Sequence, residues 1–182
     1  MNKIRYMIAV LTVIVFTAID QITKYLVVSK IGFRGSKTVI KEFFYINYVR
    51  NTGSAFSFLA DRSWGIYVLS AFSIVMTIFI IGITYKALSI DLRLVAVCGV
   101  LLTVGAIGNL IDRIRLGYVV DFLRFDFGSY TFPIFNVADI CAVCGTILFI
   151  LLIIFKSKDV DLLFAKYASE KGESQDEVDK QC

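Results

Sequence analysis

The chain has 182 residues, of which 58% are hydrophobic, and its mean hydropathy is +0.77. Soluble domains are about 45–50% apolar, so this composition excludes an ordinary soluble domain and indicates one compact integral membrane protein. The net charge of +4 is modest and the basic residues are scattered, so we expect no binding to nucleic acid. The absence of histidine excludes catalysts and metal sites that depend on an imidazole.

Four apolar segments approach or exceed the roughly 20 residues that a membrane-spanning helix needs. They cover residues 7–28, 64–85, 94–116 and 135–155. Lys3 and Arg5 precede the first segment, as in a cleavable signal peptide, but no small-residue cleavage site follows. We therefore predict a retained first helix and a single membrane domain over residues 1–156, built as an all-α bundle of four transmembrane helices.

The first and third connections, residues 29–63 and 117–134, are predicted to contain short β-strands. Residues 43–49 are rich in aromatic and β-branched side chains. Residues 123–127 alternate apolar and charged side chains before a Gly128-Ser129 turn. Four spans place both connections on one side of the membrane, so we predict a small sheet there that forms a cradle beside the bundle.

Residues 157–182 form a charged tail with little to bury, and we predict that this tail is disordered. Four spans place it on the same side as the N-terminus. Basic residues flank the spans on both sides, so the positive-inside rule does not decide which side is cytoplasmic.

Several polar residues lie inside or at the ends of the spans, where an unpaired charge costs at least a few kcal/mol. Asp20 and Lys24 lie toward the far end of the first helix, and residues 109–115 toward the far end of the third. Asp121 follows that third helix and Asp139 begins the fourth. All of them therefore converge at one face, where we predict a polar pocket beside the sheet.

Asp121 and Asp139 have no cation at helical spacing, although Arg124 could fold back on Asp121. Asn109 and Asn136 each precede an aspartate by three residues, a spacing that puts both side chains on one helical face. Two carboxyls brought close together cannot both ionise at low cost, so one keeps its proton and the pair can act as acid and base. This is the chemistry of an aspartic protease.

The simpler interpretation is that these aspartates merely neutralise cations inside the bundle, namely Arg113, Arg115, Arg124 or Lys24. It pairs Asp112 with Arg113, and Asp20 with Lys24 one helical turn away. Intramembrane carboxylates also serve as proton sites, so a proton-coupled exporter that uses Asp20 or Asp139 is an alternative function. A non-catalytic scaffold is another, although it would have no use for paired amides and carboxylates in a pocket.

The Cys-x-x-Cys pair formed by Cys141 and Cys144 has two interpretations. It could be redox-active, but thiols in an apolar helix usually just pack. We therefore assign it no catalytic role.

Five motif blocks together resemble those of bacterial lipoprotein signal peptidase, or signal peptidase II, a family of membrane aspartic peptidases. The blocks are Asp20-Gln21 with Lys24, the run from Asn51 to Ser57, Gly105 through Asn109 to Arg113, Val120-Asp121-Phe122, and Phe135 to Asp139. They occur in the family's order across all four predicted helices.

The resemblance implies an endopeptidase that cleaves prolipoproteins before a cysteine carrying a diacylglyceryl group. It implies that Asp121 and Asp139 are the catalytic dyad. We expect no metal or organic cofactor, because the chain lacks histidine and its cysteines are poorly placed for a metal site. Other matching positions are expected to line the site, namely Asn109, Asn136, Asp20, Lys24, the substrate-side Asn51 and Gly53, and Arg113, which we expect to brace the pocket.

The same resemblance implies a multi-pass protein of the bacterial cytoplasmic (inner) membrane. Its termini and tail are expected to be cytoplasmic, with the sheet and the active site near the extracytoplasmic face. We expect a monomer surrounded by membrane lipids and inhibited by globomycin-type compounds.

Overall fold

The computed structural model describes residues 2–52, 64–156, 158, 160–166 and 168–169. Its elements in chain order are α1 Asn2–Ile31, β1 Ser36–Ile40, β2 Phe44–Asn51, α2 Gly65–Ser89, α3 Arg93–Leu116, β3 Val119–Phe127, β4 Tyr130–Thr131 and α4 Val137–Phe155. Each of these four helices is long and apolar enough to cross a membrane. The predicted four-helix membrane bundle with a small sheet is therefore confirmed.

Helix α3 is the centre of the bundle. Half of its most apolar window is buried, against 6% of the corresponding windows of α1 and α2. Large apolar side chains of α1 and α2, such as Ile14 and Phe72, are instead exposed on the outside. This surface would be unfavourable in water and is suited to the hydrocarbon of a bilayer.

Small residues let α3 approach α4 closely. A Cβ atom added at Gly105 would lie 2.7 Å from the Cβ of Ala142, and one added at Gly108 would lie 2.8 Å from the Cβ of Ala138. Membrane helices commonly use such small residues to pack backbone against backbone. The contact brings the last turns of α3 against the first turn of α4.

The four strands form one antiparallel sheet in the order β1-β2-β3-β4. In the register of β2 with β3, Val49 lies opposite Asp121 and Asn51 opposite Val119. Tyr48 and Val120 are buried in a core cluster with Val27 of α1. The sheet is therefore packed against the end of α1, and it holds β3 beside the bundle.

The opposite end of the bundle contains the start of α1 and the α2–α3 turn. Arg5 forms a 2.7 Å salt bridge with Asp91 there. Residues 160–166 are helical at the same end, and Val160 and Leu163 are buried in a core cluster. The structure therefore differs from the predicted disorder over this stretch, because apolar side chains three residues apart form a face that packs on the helices. Residues 170–182 lie outside the described residues.

Candidate active site

The site is built where α1, α3, β3 and α4 meet. Helix α3 stops at Gly117, which has a φ of 74° and donates its N–H to the carbonyl of Arg113. Glycine is favoured in this left-handed conformation because it has no Cβ. The chain then turns directly into β3, which carries Asp121 back past the end of α3.

Asn136 is the N-cap of α4. Its Oδ1 accepts the N–H of Asp139 at 3.0 Å, and Asp139 Oδ2 accepts the N–H of Asn136 at 3.1 Å. These reciprocal bonds form a capping box. The spacing of Asn136 and Asp139 therefore marks the start of a helix rather than one face of its interior.

The cap also determines the orientation of the Asn136 amide. Since its oxygen is used by the cap, its Nδ2 faces the site and donates to Asp121 Oδ1 at 2.7 Å and to Asn109 Oδ1 at 3.0 Å. Asn51 donates to the other oxygen of Asp121 at 2.9 Å. Both oxygens of Asp121 are thus held by amide donors.

Asn109 holds the second carboxylate. Its Oδ1 accepts from Asn136 and from the Lys24 ammonium, so its Nδ2 is directed to Asp139 Oδ1 at 2.7 Å. The amides therefore act crosswise: Asn109 on α3 holds Asp139, and Asn136 at the start of α4 holds Asp121. One continuous hydrogen-bonded chain connects the two carboxylates.

A buried ion cluster lies behind these amides. Lys24 contacts Asp20 at 2.9 Å and Asp112 at 3.0 Å, and each of the three residues is at most 2% exposed. The predicted Asp20–Lys24 ion pair is confirmed. Asp112 also neutralises a cation in the bundle, as the simpler interpretation predicts, but that cation is Lys24 and not the adjacent Arg113, because neighbouring residues on a helix point in different directions.

The same cluster connects four elements through backbone groups. Asp20 Oδ1 accepts the N–H of Ala138 at 2.9 Å, and Asp112 Oδ2 accepts the N–H of Val120 at 3.0 Å. The amide of Gln21 donates to Asp112 Oδ1 at 3.1 Å. Asp112 and Gln21 support the site although neither was among the predicted site residues, and both belong to motif blocks named above.

Asp121 is 4% exposed. Burial raises its pKa to about 6, with the charge of Asp139 acting in the same direction and the hydrogen bond from Asn51 opposing it. A buried carboxyl favours its neutral form because water no longer stabilises the charge. Asp121 therefore keeps its proton to a higher pH than an exposed aspartate does.

Three further residues named in the sequence analysis are Arg113, Arg124 and Gly53. Arg113 is close enough to interact electrostatically with both Asp121 and Asp139, and its buried Nε has no hydrogen-bond partner among the described residues. Arg124 binds Asp126 through two 2.9 Å hydrogen bonds, so it does not fold back on Asp121. Gly53 lies outside the described residues.

The two cysteines of the Cys-x-x-Cys pair lie on α4 and are free thiols. Cys141 is buried and Cys144 is exposed on the apolar surface. Their surroundings fit packing rather than redox chemistry.

Comparison with known proteins gives consistent results. The family model of signal peptidase (SPase) II matches residues 12–155. The chain is 38% identical over 155 residues to the lipoprotein signal peptidase of Symbiobacterium thermophilum, covering 84% of this chain and 98% of that protein. It is 39% identical over 153 residues to that of Streptococcus pyogenes serotype M1, covering 82% and 94%. A bacterial membrane enzyme solved by the in meso method at 2.3 Å resolution superposes with a TM-score of 0.73 and 32% identity, covering 82% of this chain and 88% of that one.

Proposed function

Because the chain belongs to the signal peptidase II family, we propose that it is an aspartic endopeptidase that removes signal peptides from prolipoproteins, with Asp121 and Asp139 as its catalytic pair. Family membership makes the chain a lipoprotein signal peptidase, a multi-pass membrane hydrolase of peptide bonds. The observation that supports a catalytic pair is the hydrogen-bonded chain from Asp121 through Asn136 and Asn109 to Asp139.

In the proposed mechanism the pair shares one proton. The ionised carboxylate removes a proton from a water molecule, whose oxygen attacks the scissile carbonyl carbon, while the protonated carboxyl donates to the carbonyl oxygen. The tetrahedral intermediate then breaks its C–N bond as a proton passes to the leaving amine. Burial of Asp121 raises its pKa to about 6 and so favours its neutral form, which supports one proton shared by the pair.

The amides supply orientation. Asn136 and Asn109 turn their Nδ2 donors toward the carboxylates because their oxygens are already bound by the cap and by Lys24. Carboxylates fixed in this way need no rearrangement when charge develops in the transition state. Arg113 interacts electrostatically with both carboxylates, and its buried Nε has no hydrogen-bond partner among the residues described; it is proposed to brace the pocket and bind a backbone carbonyl of the substrate.

The proposed substrate is a prolipoprotein whose cysteine carries a diacylglyceryl group, cleaved immediately before that cysteine. The carboxylates lie at the end of an apolar bundle, beside the sheet. At that depth, acyl chains would remain in the bilayer while the peptide reaches the carboxylates. Asn51, already bound to Asp121, and the segment that follows it are proposed to contact the substrate peptide.

The proposed location is the bacterial inner membrane, with the α2–α3 turn and both termini on the cytoplasmic side. The site would then face the extracytoplasmic leaflet. A cyclic peptide inhibitor of the globomycin type is expected to compete with the prolipoprotein, and the active form is proposed to be a monomer.

The decisive experiment is cleavage of a synthetic diacylglyceryl prolipoprotein by the purified full chain in detergent. Asp121→Asn and Asp139→Asn should each lower the rate by about 10³-fold or more, because general acid–base catalysis is lost. Asp126→Asn is the matched control, since it lies on the same strand but binds Arg124. An unlipidated peptide tests whether the lipid is required.

The outcomes separate the hypotheses. Cleavage only before the lipidated cysteine, with both dyad variants folded and inactive, supports the full proposal. Normal cleavage by either variant would show that the catalytic pair is misassigned. If no well-folded form cleaves any substrate, the proton-coupled exporter becomes the leading hypothesis.

A further inference from the structure

A second group of polar and aromatic side chains lies where α1 ends and the sheet begins. It consists of Phe33, Arg34, Tyr48, Arg50 and Tyr118, and we call it the arginine–aromatic cluster. None of these residues was among the predicted site residues, and the proposed peptidase mechanism does not use them.

Arg50 is held rigidly within this cluster. Its guanidinium carbon lies 4.2 Å from the ring centroid of Phe33 and 4.9 Å from that of Tyr118. Its Nε donates to the hydroxyl of Tyr48 at 3.1 Å, and that hydroxyl is hydrogen-bonded to Tyr118 at 3.0 Å. Tyr48 is only 2% exposed, so the hydroxyl that accepts from Arg50 is fixed in the core, whereas Phe33 and Arg50 are exposed at the surface. In the described part of the chain, the Arg50 side chain is hydrogen-bonded only through its Nε, so its terminal nitrogens are available to an anion.

Arg34 adds a second cation to the same ring. Its guanidinium carbon lies 5.3 Å from the Phe33 centroid. Its backbone adopts a φ of 60°, which is uncommon for a residue with a Cβ, and its N–H is bound by the carbonyl of Tyr48 at 3.2 Å. Among the described residues, neither Arg34 nor Arg50 forms a salt bridge with a carboxylate. Both guanidinium groups lie beside the same ring, so their like charges repel each other, and an anion bound by both would offset this repulsion.

The position of the cluster indicates which anion is available. Phe33 and Arg34 follow directly after α1, a helix long and apolar enough to span the membrane, which ends at Ile31. The ends of spanning helices lie at the level of the lipid headgroups, where tyrosine and arginine are common. The guanidinium fork matches the oxygens of a phosphate and can donate two parallel hydrogen bonds.

We propose that the arginine–aromatic cluster is a phospholipid-binding site in which Arg34 and Arg50 hold the phosphodiester of one headgroup. Arg50 and Asn51 are consecutive on β2, so their side chains point to opposite faces of the strand. The lipid would therefore lie beside the carboxylates without entering their pocket. This site does not depend on the proposed peptidase mechanism.

The test measures lipid retention by native mass spectrometry of the full chain in a neutral detergent. Phosphatidylglycerol is titrated against diacylglycerol with the same acyl chains, which lacks the phosphate. The Arg34→Gln/Arg50→Gln double variant should bind phosphatidylglycerol about tenfold more weakly than the unmodified chain, because charge-assisted hydrogen bonds are lost. The Lys37→Gln/Lys41→Gln double variant removes the same charge from exposed positions at β1 and should stay within about twofold.

Each other result has a defined meaning. Equal losses in the two double variants would show diffuse electrostatic attraction and overturn the proposal. Equal retention of diacylglycerol would show recognition of acyl chains, and displacement of the lipid by millimolar sodium phosphate would assign the site to free phosphate. If the double variant fails to fold, Arg34→Gln alone carries the test. Peptide cleavage is not the readout, so failure here is separate from failure of the proposed function.

Discussion

The ammonium of Lys24 donates to the amide oxygen of Asn109 at 3.0 Å, and this bond joins the buried ion cluster to the amides that hold the carboxylates. An ammonium has three N–H donors, and Lys24 directs the other two to Asp20 and Asp112. Lys24 therefore determines the orientation of the Asn109 amide and of its donor to Asp139. Among the described residues, Lys24 itself forms no hydrogen bond with either carboxylate of the proposed pair.

Replacing Lys24 by Met should damage both stability and activity. The change leaves Asp20 and Asp112 buried without their cation, a loss of about 3–5 kcal/mol for breaking a buried pair. It also frees Asn109 to rotate its amide. Thermal unfolding in detergent and the cleavage assay measure the two effects, with the exposed Lys30→Met on the same helix as the control. An unchanged melting temperature for Lys24→Met would contradict the role given to the ion cluster.

Substitutions at Asn136 should separate its two roles. Asn136→Ser keeps an N-cap oxygen but is too short to reach Asp121 and Asn109, whereas Asn136→Ala loses the cap as well. Both variants should lose at least about tenfold in cleavage rate, since an orienting donor is missing. The Ala variant should be about 1 kcal/mol less stable than the Ser variant because of the lost cap. Full activity in the Ser variant would show that the bond to Asp121 is dispensable.

A methyl group at Gly108 should disturb the contact between α3 and α4. The Cβ of an alanine there would lie 2.8 Å from Asp20 Oδ2 and 2.8 Å from the Cβ of Ala138. Overpacking of this kind typically costs about 1–3 kcal/mol. Gly82→Ala is the control, because its Cβ would meet nothing within 4 Å. The melting temperature should fall only for Gly108→Ala, and equal effects at the two glycines would argue against close packing as the cause.

The stability of the folded chain should depend on the charge of Asp121. Burial raises its pKa from the ordinary 3.8 to about 6, so the folded state prefers the protonated form. This preference contributes about 3 kcal/mol to the free energy of unfolding. The contribution is fully present below the ordinary pKa of 3.8 and is lost as the pH rises through the folded-state pKa of about 6. Melting temperatures measured across this window should fall more steeply for the unmodified chain than for Asp121→Asn. Parallel curves for the two proteins would contradict the raised pKa.

The sequence by itself determined the class of the fold and the candidates for chemistry. Apolar segments of spanning length predict the four helices because a bilayer core requires a minimum run of apolar residues. Alternation around Phe125 and aromatic richness around Tyr45 predict strands because both signals are local. Asp121 and Asp139 are identified as candidates because a charged carboxylate near an apolar span is energetically costly and usually has a function.

Only the tertiary structure decided how these residues are connected. Asn51 and Asp121 are 70 positions apart, and Ala138 and Asp20 are 118 apart, so no spacing in the chain relates them. The packing of α1 against α3 determines that Lys24 is the cation that pairs with Asp112. The sequence pointed to Arg113 only because that residue is adjacent to Asp112. The pKa of Asp121 also depends on the tertiary structure. It is raised chiefly by burial, and burial requires packing by residues from several elements of the fold.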